Sequence, residues 1–284
     1  MLKESVELTA CYAGATLPHT PGSPEAHKYL WSTDGCTLEL TFNHESEEGY
    51  HPGNQPGDGF GHIAMAVPNL AEAVAHLDRA GVAFKKRPEE GKMRTIAFAY
   101  DPDLYWVELV ERDPASNLVP QFALAQTMIR VKDPAPSLAF YTQHLGMTHV
   151  RTSHNSDFST YFLASLPLGC SPPPPADPTS ADAKKYLVEE LYPRGIPVLE
   201  FTHNHCTEKD AAFSYANGNE TGRRGFGHLG FLVSDVYATY DKLSSAGVAF
   251  HKTPDGGSMK GLAFAKDPDG YLIEIIKKGQ DGQF

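Results

Sequence analysis

Histidine and glutamate recur at equivalent places in the two halves of this chain, each within a short matching segment. His62 lies in FGHIAMAV and His228 in FGHLGFLV, while Glu108 lies in DPDLYWVEL and Glu274 in DPDGYLIEI. The spacing from histidine to glutamate is the same in both halves, so no gap separates the two pairs. Divalent metal ions accept imidazole and carboxylate ligands together. The repetition therefore predicts a metal site that is built twice.

A second carboxylate joins each histidine–glutamate pair. Glu39 lies in LELTFN and Glu200 in LEFTHN, and both segments alternate polar and apolar residues as a strand does. Leu199 and Phe201 share one face, which leaves Glu200 on the other. In QTMIRV the same alternation places Gln126 opposite the β-branched residues. A polar group inside a sheet is costly unless it is paired or coordinated, so a metal ion is a suitable partner for these side chains.

The elements that must position these residues also repeat. Three helices are predicted, each with one apolar face and a glycine at its end: one capped by Asn69, one after Asp133 with Pro134 in its first turn, and one that contains Val236. Each follows a short strand and precedes strands rich in β-branched and aromatic residues. The predicted unit is therefore a strand, a helix and several further strands.

The repeats divide the chain into two predicted domains joined by a linker. The first domain has no counterpart of QTMIRV or of the helix that follows it. We therefore expect its first module to be incomplete at its N-terminus. The predicted bounds are 1–112 for domain one, with its second module at about 58–112, then 113–122 for the linker and 123–284 for domain two, with modules at about 123–205 and 224–278.

Composition excludes several classes of function. The formal net charge of −11 on 284 residues argues against binding to nucleic-acid phosphates. No apolar run approaches the ~20 residues of a membrane helix, and the N-terminus has no signal-peptide pattern. The four cysteines form no CxxC pair, which is typical of reduced thiols. We therefore expect a cytoplasmic protein without membrane or nucleic-acid partners.

Several motifs in their order resemble glyoxalase I (lactoylglutathione lyase): QTMIRVKDP, LAFYTQHLGM, LEFTHN, RRGFGHLGF and GSMKGLAFAKDPDGYLIEI. The resemblance covers nearly all of the second half and the first half from about Thr37 to Glu111. It implies the vicinal-oxygen-chelate fold, an α+β fold of tandem βαβββ modules with curved mixed sheets and helices outside. It also implies a monomer of the two-domain type, although a dimer remains open.

The activity that the resemblance implies is isomerisation of the hemithioacetal of glutathione and methylglyoxal to S-lactoylglutathione, a carbon–sulfur lyase reaction that removes methylglyoxal. Glutathione would be the co-substrate. A metal ion acts on both substrate oxygens as a Lewis acid, and a glutamate beside it moves a proton from C1 to C2. Zn²⁺ is favoured, although a donor set of His, Glu and Gln also suits Ni²⁺, Co²⁺ or Mn²⁺.

In the family each site takes ligands from two modules. Carried over, site one consists of His62, Glu108, Gln126 and Glu200, and site two consists of Glu39, His228 and Glu274 without a glutamine. The glutamates of each site are the expected catalytic groups. The residues expected to bind substrate are Arg130, Asn204, Lys86 and Met93 at site one, and Asn43, Arg224, Lys252 and Met259 at site two.

Two departures from the family pattern lower the expected activity. Site two lacks its glutamine, and DGFGH places Asp58 where the family has an arginine that meets a glutathione carboxylate. We expect this negative charge to repel the anionic substrate. Two alternatives stay open: a binding protein of this fold that has lost catalysis, with or without a metal, or another enzyme of the fold, such as a dioxygenase or an epimerase. Dioxygenases need two histidines and one carboxylate, whereas each set here has the reverse.

Overall fold

The structure is a computed structural model that describes residues 6–7, 19–33, 35–43, 49–115 and 122–279. In these residues the strands form three sheets, of two, eight and four strands. In chain order the strands are β1 Val6–Glu7, β2 Leu40–Thr41, β3 Phe60–Val67, β4 Phe84–Lys86, β5 Ile96–Tyr100, β6 Trp106–Glu111, β7 Ala123–Arg130, β8 Thr148–His154, β9 Phe158–Ala164, β10 Val198–Asn204, β11 His228–Val233, β12 Phe250–Lys252, β13 Ala263–Lys266 and β14 Leu272–Lys277.

The helices begin at polar caps. Asn69 accepts a hydrogen bond from the backbone of Glu72, and Asp133 accepts one from the backbone of Ala135, so the predicted starts of two helices are confirmed. The helices are α1 Pro24–Leu30, α2 Leu70–Arg79, α3 Pro134–Ala139 with a π-helical turn Phe140–His144, α4 Ala181–Lys185 with a π-helical segment Tyr186–Leu191 and a 3₁₀ turn Tyr192–Arg194, a 3₁₀ turn Thr207–Lys209, and α5 Val236–Ser245.

Three βαβββ modules follow one another in the described residues. They consist of β3–α2–β4–β5–β6, of β7–α3–β8–β9–β10 with α4 inserted before its last strand, and of β11–α5–β12–β13–β14. In each module the first and last strands are parallel neighbours, and the other strands pair antiparallel. The α+β fold of tandem modules with mixed sheets that the sequence predicts is confirmed.

Two of the modules share one continuous sheet. The strand order is β4–β5–β6–β3–β7–β10–β9–β8, so the junction between the halves is the antiparallel pair of β3 and β7. In this pair His62 lies opposite Met128 and Ala64 lies opposite Gln126. The third module forms a separate sheet in the order β11–β14–β13–β12, and β1 pairs with β2. The strands of the two halves are therefore joined at the β3–β7 pair, and further backbone hydrogen bonds, such as that from Gly59 to the carbonyl of Ala216 at 2.9 Å, connect the halves outside it.

The two faces of the eight-stranded sheet have different roles. One face packs on α3 and α5, in a core where Tyr141, Phe201 and Leu243 are fully buried together with Ile275 of the other sheet. Burying each such side chain contributes about 1.5 to 3 kcal/mol. The opposite face is covered at one end by α4 and its π-helical extension. Because strand side chains alternate, the polar residues predicted to bind metal face this second, partly covered surface.

Some expectations lie beyond what the described residues address. Residues 116–121 of the predicted linker, and residues 1–5 and 8–18 of the predicted incomplete module, lie outside the described residues. The domain bounds and the incompleteness of the first module therefore stay predictions. Among the helices that are described, none combines the length and the apolar composition that crossing a membrane requires.

Candidate metal centres

Site one is assembled from four neighbouring strands of the eight-stranded sheet. Glu108 on β6, Ala64 on β3 and Gln126 on β7 lie side by side in one row. The adjacent row contains His62 on β3 and, two strands further, Glu200 on β10. The four donors therefore lie within two consecutive rows on one face. Ala64 is fully buried between Glu108 and Gln126, and its small side chain leaves room for theirs to meet.

The polar atoms of site one converge. His62 Nε2 lies 3.0 Å from Glu108 Oε2 and 3.7 Å from Glu200 Oε2. Gln126 Nε2 donates hydrogen bonds to Glu108 Oε2 at 2.6 Å and to Glu200 Oε2 at 2.7 Å, and it lies 3.4 Å from His62 Nε2. The structure thus brings together all four residues that were predicted for this site, and all four are buried.

The charges of site one favour a bound cation. Burial lowers the pKa of His62, but the neighbouring Glu108 and Glu200 outweigh burial and raise it to about 9. Burial raises the pKa of Glu200, against the opposing influence of His62. The amide nitrogen of Gln126, which carries partial positive charge, lies between the two carboxylates. The two buried carboxylates attract both a proton on His62 and the amide N–H group of Gln126. The same residues offer the nitrogen and oxygen ligands that suit a divalent metal ion.

Site two contains three of the predicted donors in a more open setting. His228 Nε2 lies 3.1 Å from Glu274 Oε2 and 3.4 Å from Glu39 Oε2. Burial opposes a raised pKa for His228, but Glu274 and Glu39 raise it to about 9. Its potential ligand group consists of these three residues, among the residues that the structure describes. The missing glutamine of site two stays a prediction.

An aromatic ring holds the histidine of each site in the same way. Phe98 contacts the ring of His62 edge-on, with centroids 5.2 Å apart. Phe264, at the equivalent place in the second half, contacts His228 edge-on at 5.5 Å. The repeat therefore preserves the packing of the imidazole as well as its partners.

The residues predicted to bind substrate at site one are held by protein groups. Arg130 donates to Asn54 Oδ1 at 2.8 Å and to the Phe60 carbonyl at 3.1 Å, and Asn204 donates to the hydroxyl of Tyr215 at 2.9 Å. Arg130 thus lies at the end of β3 nearest site one, with its guanidinium group fixed.

The lysines of both sites end matching strands, and the methionines lie on the loops that follow those strands. Lys86 Nζ donates to the carbonyl of Met93 at 2.6 Å and to that of Ile96 at 3.1 Å, so it closes the loop that carries Met93. Lys252 Nζ donates to the carbonyl of Leu262 at 2.7 Å in the same manner. Met93 and Met259 are exposed at the loop surfaces.

The remaining residues predicted for site two lie near the junction of the halves. Asn43 donates from its backbone and its side chain to the hydroxyl of Tyr50, at 2.8 and 3.2 Å. The carbonyl of Arg224 accepts a hydrogen bond from the backbone of His51 at 2.6 Å. The roles of all these residues in substrate binding stay predictions.

Asp58 is placed differently from what its position in the family pattern suggests. It is only 4% exposed. One carboxylate oxygen lies 2.8 Å from His51 Nε2 and accepts from the backbone of Gln55 at 2.7 Å, and the other accepts from Arg223 Nη1 at 3.1 Å. Its charge is therefore balanced within the protein, which weakens the expected repulsion of substrate. His51 was missed because it lies outside the repeated motifs, and Arg223 was missed because Gly57 takes its place in the first half.

Tyr192 is a further residue of site one that the sequence does not reveal. It is buried, and its hydroxyl donates to Gln126 Oε1 at 2.8 Å. Tyr192 lies in ELYPRG, a segment without a counterpart in the first half. Only the packing of this segment over the sheet brings its hydroxyl to the metal-ligand candidates.

Comparison with known proteins bears on both repeats. Residues 14–109 and 123–275 match the model of the Glyoxalase/Bleomycin resistance protein/Dioxygenase superfamily. The chain is 41% identical over 257 residues to the lactoylglutathione lyase of Schizosaccharomyces pombe, which covers 85% of this chain and 76% of that protein. It is 36% identical over 267 residues to glyoxalase I of Saccharomyces cerevisiae, which covers 84% and 76% respectively.

Solved structures have the same fold. Glyoxalase I from Zea mays matches with a TM-score of 0.61 at 25% identity, over 87% of this chain and 75% of that one. One matched region of the superfamily model lies in each half of the chain. Since both fungal relatives also align along most of their length, this chain belongs to the glyoxalase I (lactoylglutathione lyase) family of the Glyoxalase/Bleomycin resistance protein/Dioxygenase superfamily.

Proposed function

We propose that this protein is a lactoylglutathione lyase whose catalytic centre is site one. The observation that carries the proposal is the convergence of four buried donors, His62, Glu108, Gln126 and Glu200, on one face of the continuous sheet. The similarity to enzymes named lactoylglutathione lyase supports the same activity. The substrate is the hemithioacetal of glutathione and a small 2-oxoaldehyde such as methylglyoxal.

The four residues of site one would hold the metal ion, and Zn²⁺ is the ion that we propose. Imidazole nitrogen and carboxylate and amide oxygens are suitable ligands for Zn²⁺, and Ni²⁺, Co²⁺ or Mn²⁺ share this preference. When bound, such an ion supplies Lewis-acid stabilisation of the negative charge that develops on two neighbouring substrate oxygens. The buried setting excludes water and strengthens these electrostatic interactions.

The carboxylates of site one are placed to move the proton. Glu108 and Glu200 come from strands on either side of the β3–β7 pair, and their Oε2 atoms flank the centre of the site. One carboxylate removes the proton from C1 and returns it to C2, while the hydroxyl proton moves from the oxygen on C1 to the oxygen on C2. Burial raises the pKa of Glu200, which brings this carboxylate closer to the pH at which it can both accept and release a proton.

Each of the two glutamates acts on one enantiomer of the substrate. The hemithioacetal has two enantiomers, which present the C1 hydrogen to opposite sides of the site. We assign Glu108 to one enantiomer and Glu200 to the other, because the two side chains approach from opposite sides.

Recognition of glutathione is assigned to residues at the ends of the same strands. Arg130 supplies a fixed cation for a carboxylate of the tripeptide and Asn204 a polar contact, while Lys86 and Met93 lie on the loop beside the site. Asn43, Arg224, Lys252 and Met259 take these roles for site two, which we propose to bind metal less tightly and to add little turnover. The protein is expected to act as a cytoplasmic monomer on this small-molecule substrate.

An iron-dependent dioxygenase is disfavoured by the donor sets. Both groups of potential ligands in the described residues contain one histidine and two glutamates. His203, which follows Glu200 closely in the sequence, pairs with Glu208 at 2.9 Å and so is engaged elsewhere. The arrangement needed for a two-histidine iron site is therefore not assembled by these residues.

Metal removal and restoration test the proposal. Protein treated with a chelator should lose its ability to form S-lactoylglutathione from the hemithioacetal, and one equivalent of Zn²⁺ per chain should restore it. A protein that binds Zn²⁺ tightly without forming product would instead be a binding protein of this fold. Full activity without any divalent ion would contradict the proposed chemistry.

A further inference from the structure

A segment between β9 and β10 covers one end of site one. Its helix α4 and the π-helical and 3₁₀ turns after it pack on Ala64, Phe162 and Val198, which lie on the site face of the sheet. Tyr192 stands at the end of this covering segment and is 5% exposed. Its ring lies in this apolar cluster, so packing fixes the direction of its hydroxyl.

The hydroxyl of Tyr192 controls one end of the Gln126 amide. It donates to Oε1 at 2.8 Å, and this leaves Nε2 directed at Glu108 and Glu200. A glutamine binds a metal ion through its amide oxygen, because its NH₂ group offers only donors. To serve as a ligand, Gln126 must therefore turn Oε1 towards Glu108 and Glu200.

A phenol hydroxyl suits both orientations of the amide. It donates to an oxygen and accepts from an NH₂ group, so it can bond whichever end of Gln126 faces it. A buried amide with one end unsatisfied would lose the hydration of that end without a hydrogen bond to replace it.

We propose that Tyr192 is a positioning residue that orients Gln126 as a metal ligand at site one. Its hydroxyl, which can donate to Oε1 or accept from Nε2, holds one end of the amide so that the other end faces Glu108 and Glu200. The inference rests on the proposed function, since it assumes that Gln126 is a ligand. Partners of this kind typically contribute 10- to 100-fold to metal affinity.

The test is the affinity for Zn²⁺ of Tyr192→Phe, measured by competition with a chelator in a His228→Ala background so that site two does not contribute. We expect affinity to fall about 10-fold, with kcat largely recovered at saturating Zn²⁺. Tyr186→Phe is the matched control. Tyr186 is a buried tyrosine of the same segment whose hydroxyl donates to the carbonyl of Pro172, away from the ligands, so its loss should leave affinity within about twofold.

A double-mutant cycle separates orientation of Gln126 from general packing. In a Gln126→Ala background, Tyr192→Phe should cause no further loss of affinity, since the amide that it orients is gone. Equal losses in both backgrounds, or unchanged affinity in Tyr192→Phe, would overturn the inference while leaving the proposed function intact. Tyr192→Leu, which also lacks the hydroxyl, serves if the phenylalanine variant does not fold. A wild-type protein without affinity for Zn²⁺ would overturn both proposals.

Discussion

Site one and site two present the same histidine–glutamate motif to very different surroundings. The side chains of His62, Glu108 and Glu200 are 8 to 10% exposed. Those of His228, Glu274 and Glu39 are 12 to 31% exposed. Local sequence is nearly the same at both histidines, so the motif alone does not set burial.

The difference comes from the strand beside each histidine. At site one β3 is paired on both sides, with β6 and with β7, and β7 brings Gln126 into the site. At site two β11 pairs with β14, and among the described strands it is the edge of its sheet. Glu39 comes from beside β2, a strand that pairs with β1 rather than with β11.

Burial changes what the same charges can do. Two carboxylates and an imidazole attract a cation far more strongly in a buried site than at a site open to water, where solvent and salt screen them. Site one also has the amide of Gln126 and the covering segment with Tyr192. The comparison indicates that burial of these donors needs the neighbouring strand in addition to the repeated motif.

Removing the matched glutamates should separate the two sites most clearly. Glu108→Gln keeps the shape of the side chain but cannot accept a proton, so kcat should fall by about 10² to 10⁴-fold. Glu274→Gln, the same change at site two, should leave kcat within about twofold. Steady-state assays of S-lactoylglutathione formation measure both. Similar losses in the two variants would show that both sites are catalytic.

Asp58 offers a second contrast between the halves, because Arg224 occupies its place in the repeat. Asp58→Arg would put a cation where His51 and Arg223 now meet a buried carboxylate. We expect the free energy of unfolding to fall by about 2 kcal/mol, less than for a fully buried pair because both partners are partly exposed. Chemical denaturation measures the change, and Arg224→Ala, at an exposed residue, should alter stability by less than about 0.5 kcal/mol.

The small residue between the donors gives a further test. Ala64 lies between Glu108 and Gln126, whereas Gly230 takes its place beside Glu274 at site two. Ala64→Leu should overpack site one, destabilise the fold by about 1 to 3 kcal/mol and weaken metal binding. Gly230→Ala should be tolerated or slightly stabilising, because a Cβ there would approach Glu274 no closer than 4.0 Å. Chemical denaturation and Zn²⁺ competition measure both changes in the two variants. A larger loss in Gly230→Ala than in Ala64→Leu would contradict this prediction.

A last contrast between the halves concerns the matched Asp-Pro-Asp turns. Burial and the nearby Asp269 raise the pKa of Asp267 to about 7, and its carboxylate accepts from the hydroxyl of Tyr141 at 2.9 Å. The folded protein therefore binds a proton that the unfolded chain releases at lower pH, so stability is lost as pH rises towards 7 and is constant above it. The Asp267→Asn variant lacks this titrating group and so avoids this loss. Between about pH 5 and pH 7, the free energy of unfolding of the variant relative to that of the wild type should therefore rise by about 2 kcal/mol.

Asp101 is the control for that pH dependence. Burial also raises the pKa of Asp101, but this carboxyl is less deeply buried, and it accepts from the backbone of Tyr105 and Asp103. Asp101→Asn should therefore show a weaker dependence over the same pH range. Denaturation curves of the two variants that respond equally to pH would contradict the assignment to Asp267.

The repeats made much of this architecture predictable. His62 and Glu108 belong to one module, where the parallel pairing of its first and last strands brings them together. His228 and Glu274 have the same spacing in the second half, and this repetition makes the pair recognisable in the sequence. Helix starts were predictable because Asn69 and Asp133 satisfy backbone N–H groups locally.

Contacts that depend on tertiary packing were not predictable in the same way. The pairing of β3 with β7 joins segments far apart in sequence, and the resemblance to a family, rather than any local pattern, indicated that Gln126 and Glu200 would meet His62. Tyr192 and His51 lie outside the repeats, and Arg223 has only Gly57 as its counterpart in the first half. All three reach their partners only in the folded chain. The neutralised charge of Asp58 followed from such contacts, which its sequence position did not indicate.

The central claim is that the buried donors of site one hold the catalytic metal ion, and a Zn²⁺ titration of two variants tests it most directly. Competition with a chelator would be measured on wild type, His62→Ala and His228→Ala. We predict that His62→Ala abolishes the tightest binding event and turnover together, while His228→Ala leaves both within about threefold of wild type. Tight binding and activity that survive in His62→Ala but disappear in His228→Ala would contradict the account.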